Sequence, residues 1–193
     1  MEFSHMTDKD VLNHFMESGA LLEGHFLLRS GLHSNRFFQA ALVLQYPDIA
    51  EKLCAALADK FSGMKIDTVL SPALGGLIVG QEVGRKLGTR AIFAEKDNDN
   101  LVLRRGFKIS KGEKILIAED VVTKGGRVEQ TVQLARSFGA DVVGIAVIVD
   151  RSAGDVKFDV PFKSLLKLHF DTFESDKCPL CKSGIPVLKP GSK

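Results

Sequence analysis

The chain has 193 residues, 45% hydrophobic and 26% charged, with 26 Lys and Arg against 24 Asp and Glu and a net charge of +2. That length suits one globular domain and excludes a large multidomain assembly. The balanced charge gives no bulk attraction to nucleic acid or an anionic membrane, and no apolar run approaches the ~18 residues of a membrane helix.

The first ten residues are polar and acidic. They lack the basic and apolar regions of a secretory signal, so a cytoplasmic location is expected. Residues 8–22 place Val11, Leu12, Phe15 and Met16 on one helical face with Gly19 as a stop, and residues 25–31 read as a short strand entering a turn. The chain then runs extended or irregular to Pro47. An amphipathic helix carrying Ile49, Leu53, Leu57 and Phe61 follows over about 48–61.

From residue 66 the pattern alternates. IDTVLSP is a short strand, ALGGLIVGQEVGRKLG a glycine-rich approach to a helix, and TRAIFAEK a second strand. KILIAED is a third strand, VEQTVQLARSFG a helix stopping at Gly139, and DVVGIAVIVD a nearly continuous apolar strand. Apolar strands alternating with helices predict an α/β domain around a mainly parallel sheet over about 50–170. Residues 97–111 break this rhythm and read as a mobile loop or a small hairpin.

The run ILIAEDVVTKGGR, residues 115–127, carries the clearest chemistry. A buried strand ends in two adjacent carboxylates, Glu119 and Asp120. Thr123, Gly125 and Gly126 follow before the next helix. A glycine turn at a helix N-terminus offers N–H groups to a phosphate, outside the carboxyl end of a strand where α/β sheets bind ligands. Acids beside such a nest cannot hold the phosphate. They can accept hydrogen bonds from sugar hydroxyls or help organise Mg²⁺. A surface turn whose acids merely cap the helix is the bland alternative. SPALGGLIVG, residues 71–80, repeats the strand–turn–helix pattern, and the backbone at Ala73, Leu74, Gly75 and Gly76 can hold a second, pyrophosphate group. Neither a Walker A sequence nor a GxGxxG fingerprint occurs.

The five histidines are scattered and suggest no catalytic dyad. Cys178 and Cys181 form one CxxC, half of what structural zinc requires, so no protein metal site is expected and packing before Pro186 is the favoured reading.

ILIAEDVVTKGG resembles the ribose-phosphate loop of type I phosphoribosyltransferases. With GHFLLRSGLHSNRFFQ, LVLRRGFKISKGEKILIAEDVVTKGG, CPLCKSGIPVLKPGSK and Arg151, the likeness narrows to the shorter-loop bacterial and archaeal branch of the orotate phosphoribosyltransferases. It implies the type I phosphoribosyltransferase fold with a small N-terminal hood over residues 1–45, a core over 46–173 and a tail over 174–193. It also implies Mg²⁺-dependent transfer of ribose 5-phosphate from phosphoribosyl pyrophosphate to orotate in pyrimidine biosynthesis, by a homodimer with shared sites.

By position, Glu119 and Asp120 would hold the ribose hydroxyls. Val121, Val122, Thr123, Lys124, Gly125, Gly126 and Arg127 would wrap the 5′-phosphate. Arg151 would meet orotate's carboxylate or ring carbonyl, Phe37 and Phe38 would wall the pyrimidine, and Arg29 would stand where the family more often has lysine. Lys96, Arg104 and Arg105 would form a cationic lid over the leaving pyrophosphate and act catalytically with Asp120. The chain departs from the best-known pattern in having Gly75 where a lysine is expected and Glu95–Lys96 where an Arg-Lys pair is expected. The rival readings are a phosphoribosyltransferase for a purine or another base, and a nucleotide-binding regulator without activity.

Overall fold

The computed structural model describes residues 6–28 and 30–190. Helix α1 (Asp8–Glu17) opens on a capping box in which the Thr7 hydroxyl accepts from Asp10 N and the Asp10 carboxylate accepts from Thr7 N. It ends at Glu17 with Gly19 as the stop, in the left-handed region at φ +70°. Val11 and Phe15 are buried, but Met16 is 60% exposed, and β1 (Leu21–Leu27) follows. β1 pairs antiparallel with β2 (His33–Phe38), then α2 (Ala41–Leu44) and α3 (Pro47–Asp59) lead into the core.

The central sheet has the order β5-β4-β3-β6-β7-β8. Its strands are β3 (Thr68–Pro72), β4 (Arg90–Asp97), β5 (Asn100–Leu103), β6 (Lys114–Val122), β7 (Asp141–Asp150) and β8 (Phe162–Lys167). All neighbours are parallel except β4–β5, so the sheet is mainly parallel as expected. Residues 97–111 thus begin with a tight hairpin, Asp97 opposite Asn100. The edge strand β8 was not foreseen. Its FKSLLK mixes charged and apolar residues, and only Leu165 and Leu166 are buried.

Alternating strand residues feed two cores, one on each sheet face. Val69, Leu116, Ala146 and Ile148 meet α1, α3 and α4 (Gly76–Leu87). Leu70, Ile115, Ile117, Ile145 and Val147 meet α5 (Gly126–Ser137). The burial of large aliphatic side chains on both faces, each contributing about 1.5–3 kcal/mol, holds the three layers together. After β8 the chain crosses back to the N-terminal hairpin. β9 (Thr172–Phe173) pairs with β2, a 3₁₀ turn spans Ser175–Lys177, and α6 (Pro179–Lys182) follows. Leu188 then bonds to β1 through Leu27 N–H to its carbonyl (2.8 Å) and its own N–H to the His25 carbonyl (2.7 Å). No helix among the described residues is long and apolar enough to cross a membrane.

Candidate active site

β3 and β6 lie side by side and parallel, yet the chain leaves β3 for β4 on one side and β6 for β7 on the other. That divergence opens a crevice at their carboxyl ends, where open α/β sheets bind ligands. Both glycine turns, residues 73–76 and 123–126, fall at this crevice. The sheet topology therefore brings together two sequence segments some fifty residues apart.

Gly75 touches the acid pair. A Cβ at this position would stand 2.7 Å from Asp120 Oδ2 and 2.9 Å from Oδ1, so only glycine lets the first turn close over the second. Glu119 is buried and its Oε1 accepts from Asp120 N (3.0 Å), while Asp120 Oδ1 accepts from Val121 N (2.7 Å). Burial first, and the neighbouring Asp120 charge second, push the Glu119 carboxyl up to about 9. Burial likewise raises Asp120. Among the described residues neither acid has an ion-pair partner. A buried and a half-buried carboxyl group with no ion-pair partner form an oxygen-rich site for hydroxyl donors or a hard cation.

After them the chain turns sharply. Gly125 takes φ +77°, and a Cβ there would lie 2.8 Å from Val156 Cγ1. α5 starts at Gly126 with no side-chain cap, leaving the N–H groups of its first turn free for an anion. Thr123, Lys124, Gly126 and Arg127 are exposed around this turn. Val121 is half-buried, whereas Val122 is 1% exposed and packed with Val128 and Val132. Val122 can therefore serve a ligand only through its backbone, and its carbonyl is already taken by Arg151 N (2.8 Å).

Beside the nest opens a cavity of about 840 Å³ lined by Phe37, Phe38, Thr123, Lys124, Arg151 and Phe170 among others. Five residues read from the sequence thus share one wall. Consecutive strand residues point to opposite faces, so the two phenylalanines are not equivalent. Phe38 is buried with its ring 4.8 Å from Phe15, while Phe37 is half-buried against Phe26. Both line the cavity, Phe37 as the more exposed ring and Phe38 as the one packed on Phe15.

The Arg151 guanidinium stands 3.9 Å above the Phe170 ring. Its Nε is buried without a hydrogen-bond partner, and burial lowers its pKa. Asp150, next to it, is occupied by Ser152, whose N–H and hydroxyl donate to Oδ1 at 2.9 and 2.6 Å. The cavity therefore presents a cation with unspent donors. Gln39, Ser152, His169, Phe170 and Lys189 also line it, and sequence reading missed them. Gln39 follows β2 and Ser152 follows β7, each beside a residue that was read from the sequence, whereas His169, Phe170 and Lys189 reach the cavity only on the return of the chain after β8.

Lys96 is exposed on β4, Arg104 pairs with Asp97 (3.1 Å), and Arg105 is bidentate to Glu95 (2.7 and 3.0 Å). None of the three lines the cavity in this structure. Ala73 is half-buried and its N–H donates to the Ala94 carbonyl, Gly76 is buried, and Leu74 is 82% exposed. Arg29 lies outside the described residues.

The histidines, scattered in the sequence, do not all stand apart in the fold. His25 Nε2 and His33 Nδ1 are 2.7 Å apart, and Cys178 and Cys181 adjoin them. Antiparallel pairing of β1 and β2 makes the first pair, and the returning tail adds the second, which neither spacing reveals.

A family model described as "Phosphoribosyl transferase domain" matches residues 43–178. The chain is 50% identical over 188 residues to the orotate phosphoribosyltransferase of Caldanaerobacter subterraneus, covering 97% of this chain and 99% of that protein. It is 47% identical over 188 residues to that of Chlorobaculum parvum, with 97% of each covered. Among solved structures, the orotate phosphoribosyltransferase from Aeropyrum pernix aligns with TM-score 0.70 at 21% identity, over 82% of this chain and 93% of that one. At that identity the likeness speaks for the fold, and an adenine phosphoribosyltransferase from Thermoanaerobacter pseudethanolicus shares it at TM-score 0.60 and 21% identity, over 69% of this chain and 88% of that one.

Proposed function

The chain belongs to the orotate phosphoribosyltransferase family, and from that premise we propose a role for each part of the site in transferring ribose 5-phosphate from phosphoribosyl pyrophosphate to N1 of orotate. The products are orotidine 5′-monophosphate and pyrophosphate. The observation that carries the choice of base is Arg151. A buried guanidinium with unspent donors, stacked on Phe170 and facing the cavity, suits a planar carboxylate that purines lack.

The 5′-phosphate sits on the free N–H groups of the turn from Thr123 through Arg127, with the Thr123 hydroxyl as a further donor. Glu119 and Asp120 accept from the ribose hydroxyls, and the turn at residues 73–76 receives the pyrophosphate. Orotate lies against Phe37 with its carboxylate on Arg151. This arrangement holds nitrogen and leaving group on opposite faces of C1′, so the protein supplies alignment rather than a nucleophile. As the C1′–O bond breaks, positive charge grows on the ribose. A carboxylate of this pair, ionised beside the ring, favours that charge.

Mg²⁺ fits the same residues. Glu119, buried, and Asp120, half-buried, are adjacent oxygen donors with no ion pair among the described residues, the set a hard ion takes. When bound, the ion supplies neutralisation of the leaving diphosphate. Lys96, Arg104 and Arg105 form the mobile cationic side of the site. Their pairs with Asp97 and Glu95 are exposed, and exposed ion pairs contribute little, so the arginines can exchange them for pyrophosphate. Closure of the hairpin keeps water from the activated sugar.

A homodimer is the proposed assembly, supported by exposed Tyr46 and Ile78 beside an apolar groove that Leu44, Pro47, Leu77 and Phe93 line. The proposed location is the cytoplasm. Pyrophosphate release measured with orotate, adenine, hypoxanthine and uracil tests the assignment. Release with orotate alone is expected, and release only with a purine would overturn it.

A further inference from the structure

The four side chains His25, His33, Cys178 and Cys181 play no part in the transfer site. Their ligand atoms nevertheless converge, all lying within 4.8 Å of one another. His25 Nε2 is 3.5 Å from Cys178 Sγ and 3.7 Å from Cys181 Sγ, and His33 Nδ1 is 3.3 Å from Cys181 Sγ. In a tetrahedral site with Zn–N near 2.0–2.1 Å and Zn–S near 2.3 Å, the nitrogen–sulfur edge is ~3.6 Å and the nitrogen–nitrogen edge ~3.3 Å. The three nitrogen–sulfur separations already match. The two imidazoles, at 2.7 Å, need to part by only roughly 0.6 Å on that geometry.

A second observation concerns the far side of one ring. His25 Nδ1 is 2.7 Å from the Ile185 carbonyl, which can only accept. That contact makes Nδ1 the donor and leaves the Nε2 lone pair aimed at the two sulfurs. Metal-bound histidines are held in the same way, the outer N–H on a backbone carbonyl fixing tautomer and ring plane. The backbone contact is itself built by the tail, whose Leu188 bonds to β1.

We propose that His25 Nε2, His33 Nδ1, Cys178 Sγ and Cys181 Sγ form a structural zinc site that fastens the C-terminal tail to the N-terminal hairpin beside the substrate cavity. All four positions are filled by protein, so the ion has no open place for catalysis. Binding converts two thiols to thiolates and releases two protons. Zn²⁺ with two thiolates and two neutral imidazoles carries no net charge, which suits three buried ligands. Cys181 is exposed and gives the ion its way in. The fastening joins residues 153 apart in sequence, a long loop whose closure is otherwise entropically costly. It also holds Lys189 and Pro190 in the cavity wall, so the site supports the orotate side without touching the reaction.

The full-length protein, purified under reducing conditions and incubated with zinc then desalted, is expected to hold about one zinc per chain by mass spectrometry of the metal. Cobalt in its place is expected to give thiolate-to-metal absorption and the strong visible bands of a tetrahedral ion. Cys181→Ser, on the exposed ligand, is expected to lose both signals, while Cys54→Ser keeps them. Chelation is expected to lower Tm, and zinc to restore it. Protein that takes up no zinc, weak octahedral cobalt bands, or zinc retained equally by the Cys178→Ser/Cys181→Ser double variant would each overturn the proposal. So would a mass lower by two hydrogens, which marks a disulfide instead. Metal content is read independently of turnover, so its failure leaves the transferase assignment intact.

Discussion

Gly75 lies so close to Asp120 that a single added methyl would stand 2.7 Å from the carboxylate oxygen. The turn at residues 73–76 and the acids at the end of β6 are therefore one packed unit. This explains why a lysine expected at that place is absent. Its Cβ would have to displace the acid. Gly75→Ala is expected to keep the fold and to lower kcat/KM for phosphoribosyl pyrophosphate at least about tenfold, equal to about 1.4 kcal/mol of transition-state stabilisation. Steady-state kinetics at saturating orotate, beside the thermal midpoint, checks it. An unchanged kcat/KM would show that the acid pair can move without loss.

Arg151 should set the affinity for orotate alone. Arg151→Gln keeps a planar donor but removes the charge, and is expected to raise the KM for orotate about a hundredfold, or about 2.7 kcal/mol. The KM for phosphoribosyl pyrophosphate should change less than threefold. Equal increases in both would mean that the substitution disturbs the whole crevice.

Glu119 predicts the pH dependence of stability in the ligand-free protein. Its folded pKa is raised from 4.5 to about 9. The folded state thus holds a proton that the unfolded state releases. The resulting stability is fully present below about pH 4.5 and is lost as pH rises through about 9. The thermal midpoint should fall between pH 6 and pH 9, and Glu119→Gln should flatten that fall. A steeper fall in the variant would contradict the assignment.

Asp120→Asn leaves the shape of the crevice but removes the second acid. It is expected to reduce kcat by about a hundredfold, with the midpoint unchanged or raised, since a half-buried group that resists charge is replaced by a neutral one. Circular dichroism and turnover together test this. Full turnover with asparagine would remove Asp120 from the mechanism.

Arg105 is held by Glu95 in this structure, and the lid role requires the pair to break. Glu95→Gln is expected to change kcat less than threefold, because the exposed pair is a weak restraint. Arg105→Ala is expected to cut kcat more than tenfold. If the two variants behave alike, Arg105 serves only to pin the hairpin.

The alternation of helix and strand, the mainly parallel sheet and the turn after β6 are legible in the chain alone. These follow from local pattern: apolar runs long enough to bury on both faces, glycines where the chain reverses, and carboxylates at a strand end. The sequence also singled out Arg151 and Phe37, through a family likeness rather than through spacing. Other features arise only from packing in three dimensions, which local pattern cannot carry. Phe37 and Phe38 are adjacent in the chain and both reach the cavity, yet the pleat leaves Phe37 half-buried and packs Phe38 into the core against Phe15. The acids Glu119 and Asp120 look like surface residues in sequence, and only the layers packed around β6 make them reluctant to ionise. His25 and His33 are separated from Cys178 and Cys181 by nearly the whole domain. They meet because the chain, after completing the sheet, has to return across the N-terminal hairpin, and contacts made by such a return depend on the path of the backbone in space rather than on any repeat in the sequence.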